Sequence, residues 1–272
     1  MAINWVDRVA THPGRVQLTP VQGQTNIYDM ERADEPTVAG TPINAANLNA
    51  MQKNAGLDVW KTVYVAVSGS DSTGNGSSTA PYQTITKAIS TIPKNLNGFG
   101  ATINIASGNY NEDVFIEKTF GGVIFLFGEE GTQVSIKSLR VFNGSTVEID
   151  VPLSITGALS DNGVYVVNAT LVAVKPVTIS GTTSYGLFAT RNAYCRFSSL
   201  NVSNSSVGAI TATNVSQVSV ASASGSNNNI GIRVADGGLI AYNSNTMSAT
   251  TLYLSQTGGR IYAGSQTSIP NY

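Results

Sequence analysis

The C-terminal half of the chain repeats itself with a period of about 22 residues. Successive repeats begin 25, 23, 22, 23 and 20 residues apart, at Leu139, Val164, Leu187, Ala209, Ile232 and Leu252. Each repeat reads as a short apolar strand, a polar turn, two further short strands and a corner rich in Ser, Asn and Gly. Self-similarity at this period is typical of stacked-repeat folds, in which each repeat buries its apolar face only against its neighbours.

Three strands per repeat predict an all-β fold, a right-handed single-stranded parallel β-helix. Each strand would pair with the same strand one coil further on, about 4.8 Å away, and alternate side chains would point inward. A leucine-rich repeat has a similar period but requires a Leu-x-x-Leu-x-Leu pattern, which is absent here. A β-propeller would need about 40 residues per blade. We therefore expect a β-helix shaft over residues 61–272.

The composition agrees with stacked coils, since only 11% of residues are charged and the net charge is −1. A charge repeated in one column would face its own copies, whereas Asn, Ser and Thr can bond from coil to coil. A near-neutral chain is not a general nucleic-acid binder, and no apolar run approaches the roughly 20 residues of a membrane helix. The single Cys (Cys195) excludes an intramolecular disulfide and a Cys-based zinc site, and with a single His (His12) we set aside a catalytic triad and a multi-His metal site. We expect no cofactor, metal, nucleic acid or membrane partner.

The N-terminal part has a different character. Residues 1–40 contain Pro and Gly every few positions and no sustained period, which predicts that residues 1–60 form an extended arm without a core of its own. A short helix is predicted over 43–54, with Thr41 as its N-cap. A second helix is predicted over 83–93, where Ile and Ala recur at helical spacing. That helix would cap the N-terminal end of the shaft and protect its open strand edges.

Two groups of motifs resemble known proteins. The runs 80–89 and 101–114 resemble the first coil of pectate-lyase-like right-handed β-helices, a group that includes pectin methylesterases and phage tailspikes. Residues 3–8, 31–36 and 40–49 resemble the leader of tail or head appendage proteins in phages of Gram-positive bacteria. Pectin methylesterases also carry two catalytic Asp residues and an Arg on the middle coils. This chain has only four carboxylates after residue 140 and no Gln-Asp-Thr run, so that activity does not carry over.

The resemblance implies a structural appendage of a bacteriophage particle, a fibre or spike that binds a host-surface glycan. It would be made in the host cytoplasm, join the virion through residues 1–60 and leave by lysis; the sequence shows no signal peptide. The residues expected to attach to other virion proteins are Trp5, Val6, Arg8, Arg32, Asp34, Pro36, Pro42 and Leu48. A neck or head fibre without a receptor role is the alternative. Analogy implies a homotrimer, with Val166, Leu187 and Ile210 as outward apolar contacts.

Candidate contacts to a glycan are the polar and aromatic residues expected on the outside of the coils: Asn168, Arg191, Tyr194, Arg196 and Asp236. The enzymatic alternative, a polysaccharide-degrading tailspike, would use Glu148 and Asp150. These acids lie on one strand face, about 6–7 Å apart, a separation that suits glycoside hydrolysis. We interpret them as solvated strand acids, because no third polar group is evident nearby, and expect no catalytic residues. The loop at 71–76 could hold Ca²⁺ but lacks the acidic ligands of an EF-hand, so we interpret it as a surface loop.

Overall fold

The structure is a computed structural model that describes residues 9–10, 16–23, 25–32, 36–38, 46–48, 60–117, 119–156 and 162–264. The chain divides into two compact units, Met1–Asp58 and Val59–Tyr272. No helix within the described ranges is both long enough and apolar enough to cross a bilayer.

The first unit contains two small antiparallel pairs. Strand β1 (Val9–Ala10) pairs with β4 (Pro36–Val38), and β2 (Val16–Pro20) pairs with β3 (Tyr28–Arg32). Every side chain of β2 is exposed, and Met30 of β3 is 70% exposed, so the β2–β3 hairpin buries no core between its own strands. Residues 46–48 are helical, and the rest of the helix predicted over 43–54 lies outside the described residues.

The second unit is a parallel β-solenoid of about seven coils, which confirms the predicted fold class. Its strands form three faces, named A, B and C in the order in which each coil visits them. Face A contains β5 (Lys61–Val65), β6 (Gly100–Ile105), β9 (Val123–Phe127), β12 (Thr146–Asp150), β15 (Thr170–Ala173), β24 (Arg260–Ala263) and the first halves of β18 (Tyr194–Ser203), β20 (Gln217–Ser224) and β22 (Leu239–Asn245). Face B contains β7 (Gly108–Asn109), β10 (Val134–Ile136), β13 (Leu153–Thr156), β16 (Val177–Ser180) and the second halves of those three long strands. Face C contains β8 (Asp113–Glu117), β11 (Ser138–Phe142), β14 (Asn162–Val167), β17 (Tyr185–Thr190), β19 (Gly208–Ala212), β21 (Asn228–Val234) and β23 (Ala249–Ser255).

The core of the solenoid is a set of inward columns running from coil to coil. On face C, Leu139, Val164, Leu187, Ile210 and Ile232 stand in register and are fully buried. The predicted repeat starts are therefore correct at four positions. The starts at Ala209 and Leu252 are one residue early, since the column passes through Ile210 and Tyr253.

This register corrects one expectation about assembly. Val166, Leu187 and Ile210 were predicted to point outward and contact other subunits, but all three are fully buried. Val164 and Val166 are two residues apart on one strand, and therefore both face the core. These residues stabilise the interior and offer nothing to a partner.

The helix predicted over 83–93 is present as α1 (Ile85–Ser90). Ile85, Ala88 and Ile89 are buried on its inner side, as expected for a helix that caps the end of the solenoid. The Thr84 hydroxyl accepts a hydrogen bond from the Lys87 amide at 3.0 Å and so forms the N-cap.

Two carboxylates hold the start of α1 in place. The Asp71 carboxylate accepts hydrogen bonds from the Gln83 amide, the Thr84 amide and the Thr84 hydroxyl, at 2.8, 3.0 and 2.7 Å. The Glu112 carboxylate accepts from the Ile85 and Thr86 amides at 2.7 and 2.9 Å. Burial acts to raise the pKa of Asp71. The hydrogen bonds from Thr84 and Gln83 and the charge of Lys87 outweigh burial, and the pKa of Asp71 is lowered. The acid of the 71–76 loop thus anchors the cap.

Candidate functional site

The outer surface of face C carries a continuous row of aromatic rings, here called the aromatic strip: Phe115, Phe142, Tyr165, Phe188 and Tyr185. The rings of Phe115 and Phe142 meet edge to face at a centroid distance of 5.2 Å, as do those of Phe142 and Tyr165 at 5.0 Å. Tyr165 stacks on Phe188 at 5.3 Å, and Phe188 stacks on Tyr185 at 4.6 Å. These are the offset and T-shaped geometries that aromatic pairs favour.

The strip follows from the alternation of face C. Phe115, Arg140, Tyr165 and Phe188 occupy one outward column, because their neighbours along each strand point into the core. Phe142 occupies the next outward position after Arg140. Phe115 is 39% exposed, and the other four rings are half-buried against one another. The strip therefore presents ring surface to solvent over four successive coils.

A hydrogen-bonded bridge closes the far end of the strip. Arg233 donates from Nη1 to the Tyr185 hydroxyl at 2.8 Å and from Nη2 to Gln256 Oε1 at 3.4 Å. Thr211 stands in register between Phe188 and Arg233, is fully buried, and its hydroxyl has no hydrogen-bond partner among the described residues. A Cβ at Gly208 would lie 2.8 Å from the Thr211 hydroxyl and 3.2 Å from the Tyr185 ring, so both side chains pack closely on the glycine backbone.

A polar groove of about 540 Å³ lies at the corner between faces B and C, on the coils that follow Tyr185. It is lined by Ser205, Ser206, Asn227, Asn228, Asn229, Ser248, Ala249 and Thr250. Ser206 lies two residues before Gly208, the register partner of Tyr185, so the groove starts one coil beyond Tyr185, which is not among its lining residues. Seven of the eight lining side chains are hydroxyls or amides, and none is charged.

The strip and groove together have the chemistry of a surface that binds sugars. Half-exposed aromatic rings stack against the C–H face of a pyranose, and amides and hydroxyls exchange hydrogen bonds with its hydroxyl groups. Sequence reasoning missed both features. The usable signal was the aromatic residue directly after two predicted repeat starts, Tyr165 after Val164 and Phe188 after Leu187.

The five predicted glycan contacts lie elsewhere on the coil. Asn168, Arg191 and Asp236 are exposed in the turn between face C and face A, whereas Tyr194 and Arg196 point outward from β18 on face A. The structure does not bring them together with the aromatic strip. Whether they contact a ligand stays a prediction.

The backbone conformation of the turn between faces C and A explains why Asn and Asp are frequent there. Its first column has positive φ in six successive coils: Asn143 (57°), Asn168 (47°), Arg191 (56°), Asn214 (49°), Asp236 (51°) and Thr257 (43°). Asn and Asp tolerate this left-handed conformation better than most residues. Counting four residues from each predicted repeat start gives Thr213 and Gln256 at this position instead, because the starts at Ala209 and Leu252 are one residue early.

The residues of the enzymatic alternative are where the pattern predicted. Val147, Ile149 and Val151 are fully buried, so Glu148 and Asp150 point outward. In register, Glu148 lies between Phe125 and Val172 of the adjacent coils. No group of three potential metal-ligating His, Cys, Asp or Glu side chains occurs among the described residues. Cys195 is fully buried, as predicted, and burial raises the pKa of its thiol.

Three of the predicted virion-attachment residues fall within the described residues of the first unit. Arg32 ends β3, Pro36 begins β4, and Leu48 lies in the helical segment 46–48 with a half-exposed side chain. The others, Trp5, Val6, Arg8, Asp34 and Pro42, lie outside the described residues.

The fold of the second unit places the chain among the parallel β-solenoid proteins. Comparison with known families narrows this class: residues 67–271 match the family described as "Protein of unknown function (DUF1565)". The chain belongs to that family, whose match spans nearly the whole solenoid. No curated protein and no solved structure matches the chain.

Proposed function

We propose that the protein is a structural appendage of a bacteriophage particle, a fibre or spike whose solenoid binds a host-surface glycan. Residues 1–60 attach it to other virion proteins, and the solenoid projects outward. The motifs at 3–8, 31–36 and 40–49, which resemble phage appendage leaders, support the viral assignment. The protein is made in the host cytoplasm and released by lysis as part of the virion.

The observation that carries the binding role is the aromatic strip. Aromatic rings left partly exposed on a β-sheet cost hydrophobic free energy, roughly 25 cal/mol per Å² of apolar surface in contact with water. A ligand that covers such rings recovers part of that free energy. The groove beyond the end of the strip adds uncharged hydrogen-bonding groups, which suits a sugar chain better than a nucleic acid or an acidic peptide.

The same proposal includes a homotrimer that binds glycan without cleaving it. Solenoid shafts of this size can pack about their long axis and still leave one outer face free for a ligand. Glu148 and Asp150 point outward beside apolar neighbours, and we assign them to solvent contact.

Competition for adsorption tests the receptor role directly. Purified full-length protein is added to host cells before the phage that encodes it, and the adsorption rate is measured. We expect the wild-type protein to block adsorption, and Tyr165→Ala or Phe188→Ala to need about tenfold more protein, equivalent to about 1.4 kcal/mol of lost stacking. Val174→Ala is the matched control, since Val174 is 45% exposed but lies off the strip.

Two outcomes would contradict the proposal. Failure of the wild-type protein to compete at any concentration would remove the receptor role. If Tyr165→Ala competes as well as wild type, the aromatic strip does not take part in receptor binding. Immunogold labelling of purified particles with an antibody against the protein tests whether it is attached to the virion. The proposal requires gold label on the particles.

A further inference from the structure

We infer that the polar groove is a subsite for an uncharged sugar residue, so that the shaft selects neutral over acidic glycans. This inference rests on the proposed function and assigns the ligand class of its binding surface. It comes from the groove's lining, its fixed floor and its position beyond the end of the aromatic strip.

The floor of the groove is already held by internal hydrogen bonds. Asn228 is 2% exposed; its Oδ1 accepts from the Ser205 amide at 3.0 Å, and its Nδ2 donates to the Val202 carbonyl at 2.8 Å. The Ser205 hydroxyl accepts from Thr182 at 2.9 Å. These bonds fix the floor before any ligand arrives, which lowers the entropy lost on binding.

The rim of the groove has unused hydrogen-bonding groups. Among the described residues, the side chains of Asn229, Ser248 and Thr250 make no hydrogen bond to protein. One amide and two hydroxyls offer both donors and acceptors, and each hydroxyl of a sugar needs both. The volume of about 540 Å³ lies within the range of small-ligand sites and accommodates one or two sugar rings.

The charge distribution favours a neutral ligand over an acidic one at this site. No lining residue carries a charge, and the guanidinium of Arg233 is already bonded to Tyr185 and Gln256. An ionised carboxylate or phosphate entering the groove would lose hydration and gain no counter-charge. A neutral sugar exchanges hydrogen bonds to water for equivalent bonds to amides and hydroxyls, at little net cost.

The register of the coils then orients the ligand. From Phe115 to Phe188 the strip advances three coils, about 14 Å along the solenoid axis, and the groove starts one coil beyond Tyr185. The ligand is therefore an extended chain that stacks along the strip and places one neutral ring in the groove, on the coils beyond Tyr185.

Binding of the full-length protein to an array of immobilised neutral and acidic oligosaccharides tests this inference. We expect wild type to bind neutral oligosaccharides only. The double variant Asn229→Ala/Thr250→Ala should lose about tenfold in affinity, as expected for two hydrogen bonds. Ser248→Trp, which fills the groove from an exposed position, should lose at least as much. Thr178→Ala, an exposed Thr on face B, is the matched control and should bind like wild type.

The outcomes separate this inference from the proposed function. If Tyr165→Ala weakens binding but the groove variants do not, the subsite is wrong and the strip stands. Binding restricted to acidic oligosaccharides would also overturn the subsite while leaving a glycan-binding shaft. Binding to no oligosaccharide overturns both. Far-UV circular dichroism and thermal unfolding of each variant establish that any loss comes from the groove and not from misfolding.

Discussion

Val215 occupies a backbone conformation that a β-branched residue rarely adopts, and replacing it should stabilise the solenoid. Its φ is +61°, and its side chain is 63% exposed. The equivalent residues of other coils are Gly144, Asn192, Gly237 and Gly258, with φ of 81°, 59°, 74° and 77°. The turn therefore demands a left-handed residue, and Val meets that demand at a cost in strain of about 1–2 kcal/mol.

The magnitude depends on the replacement. Val215→Asn keeps the amide that donates to the Asp236 carbonyl at 3.1 Å and relieves most of the strain, so we expect a gain of about 1 kcal/mol. Val215→Gly relieves the strain fully, but glycine loses more backbone entropy on folding, and the net gain should be about 0.5 kcal/mol. The exposed Val side chain contributes little burial to lose.

Urea unfolding followed by circular dichroism measures these changes as shifts in the transition midpoint. Gly237→Val is the matched reverse variant. Its added Cβ meets only Val215 at 4.0 Å, so backbone strain alone should destabilise it, by about 1–2 kcal/mol. The reasoning fails if Val215→Asn lowers the midpoint, or if Gly237→Val leaves it unchanged.

Four further predictions follow from the structure. Asp71→Asn should destabilise the cap of the solenoid by about 1 kcal/mol at neutral pH, measured by urea unfolding. Because the folded-state pKa of Asp71 is lowered, its contribution is present above the unfolded pKa, and the difference between variant and wild type should vanish as pH falls through the folded pKa. Cys195 should not react with a thiol reagent until urea unfolds the protein, because the thiol is buried and its pKa is raised; reaction in the native state would contradict this. Host-envelope polysaccharide incubated with the protein should yield no new reducing ends, and product that disappears in Glu148→Gln would establish an enzyme instead. Light scattering of the full-length chain at micromolar concentration should give the mass of a trimer, and a monomer would refute that part of the proposal.

The sequence carried enough information for the fold because a solenoid repeats its constraints. Every coil must place apolar residues at the same inward positions, so Val164 and Leu187 repeat the environment of Leu139 and the period becomes visible. The cap was predictable from a second periodic signal. Ile85, Ala88 and Ile89 recur at helical spacing, and they share the buried side of a helix that covers the first coil.

The candidate site was less visible because outward positions obey no common constraint. Arg140, Tyr165, Phe188 and Thr211 occupy one outward column, and nothing in their residue types indicates a shared surface. Three of the five predicted contacts, Asn168, Arg191 and Asp236, lie instead in the column at the turns between faces C and A. The structure explains that column by its left-handed backbone, a constraint that holds whether or not a ligand binds.

The same turn column would have given the correct register. Apolar character cannot distinguish Ala209 from Ile210, because both are fully buried on β19, and an alignment built on apolar positions shifts by one residue there. The turn is more specific: positive φ begins at Asn214 in this coil, and Thr213 directly before it does not have positive φ. Aligning Asn143, Asn168, Asn214 and Asp236 first fixes which neighbouring residues point inward. In a parallel solenoid that choice also fixes the outer columns, and the aromatic strip follows from it.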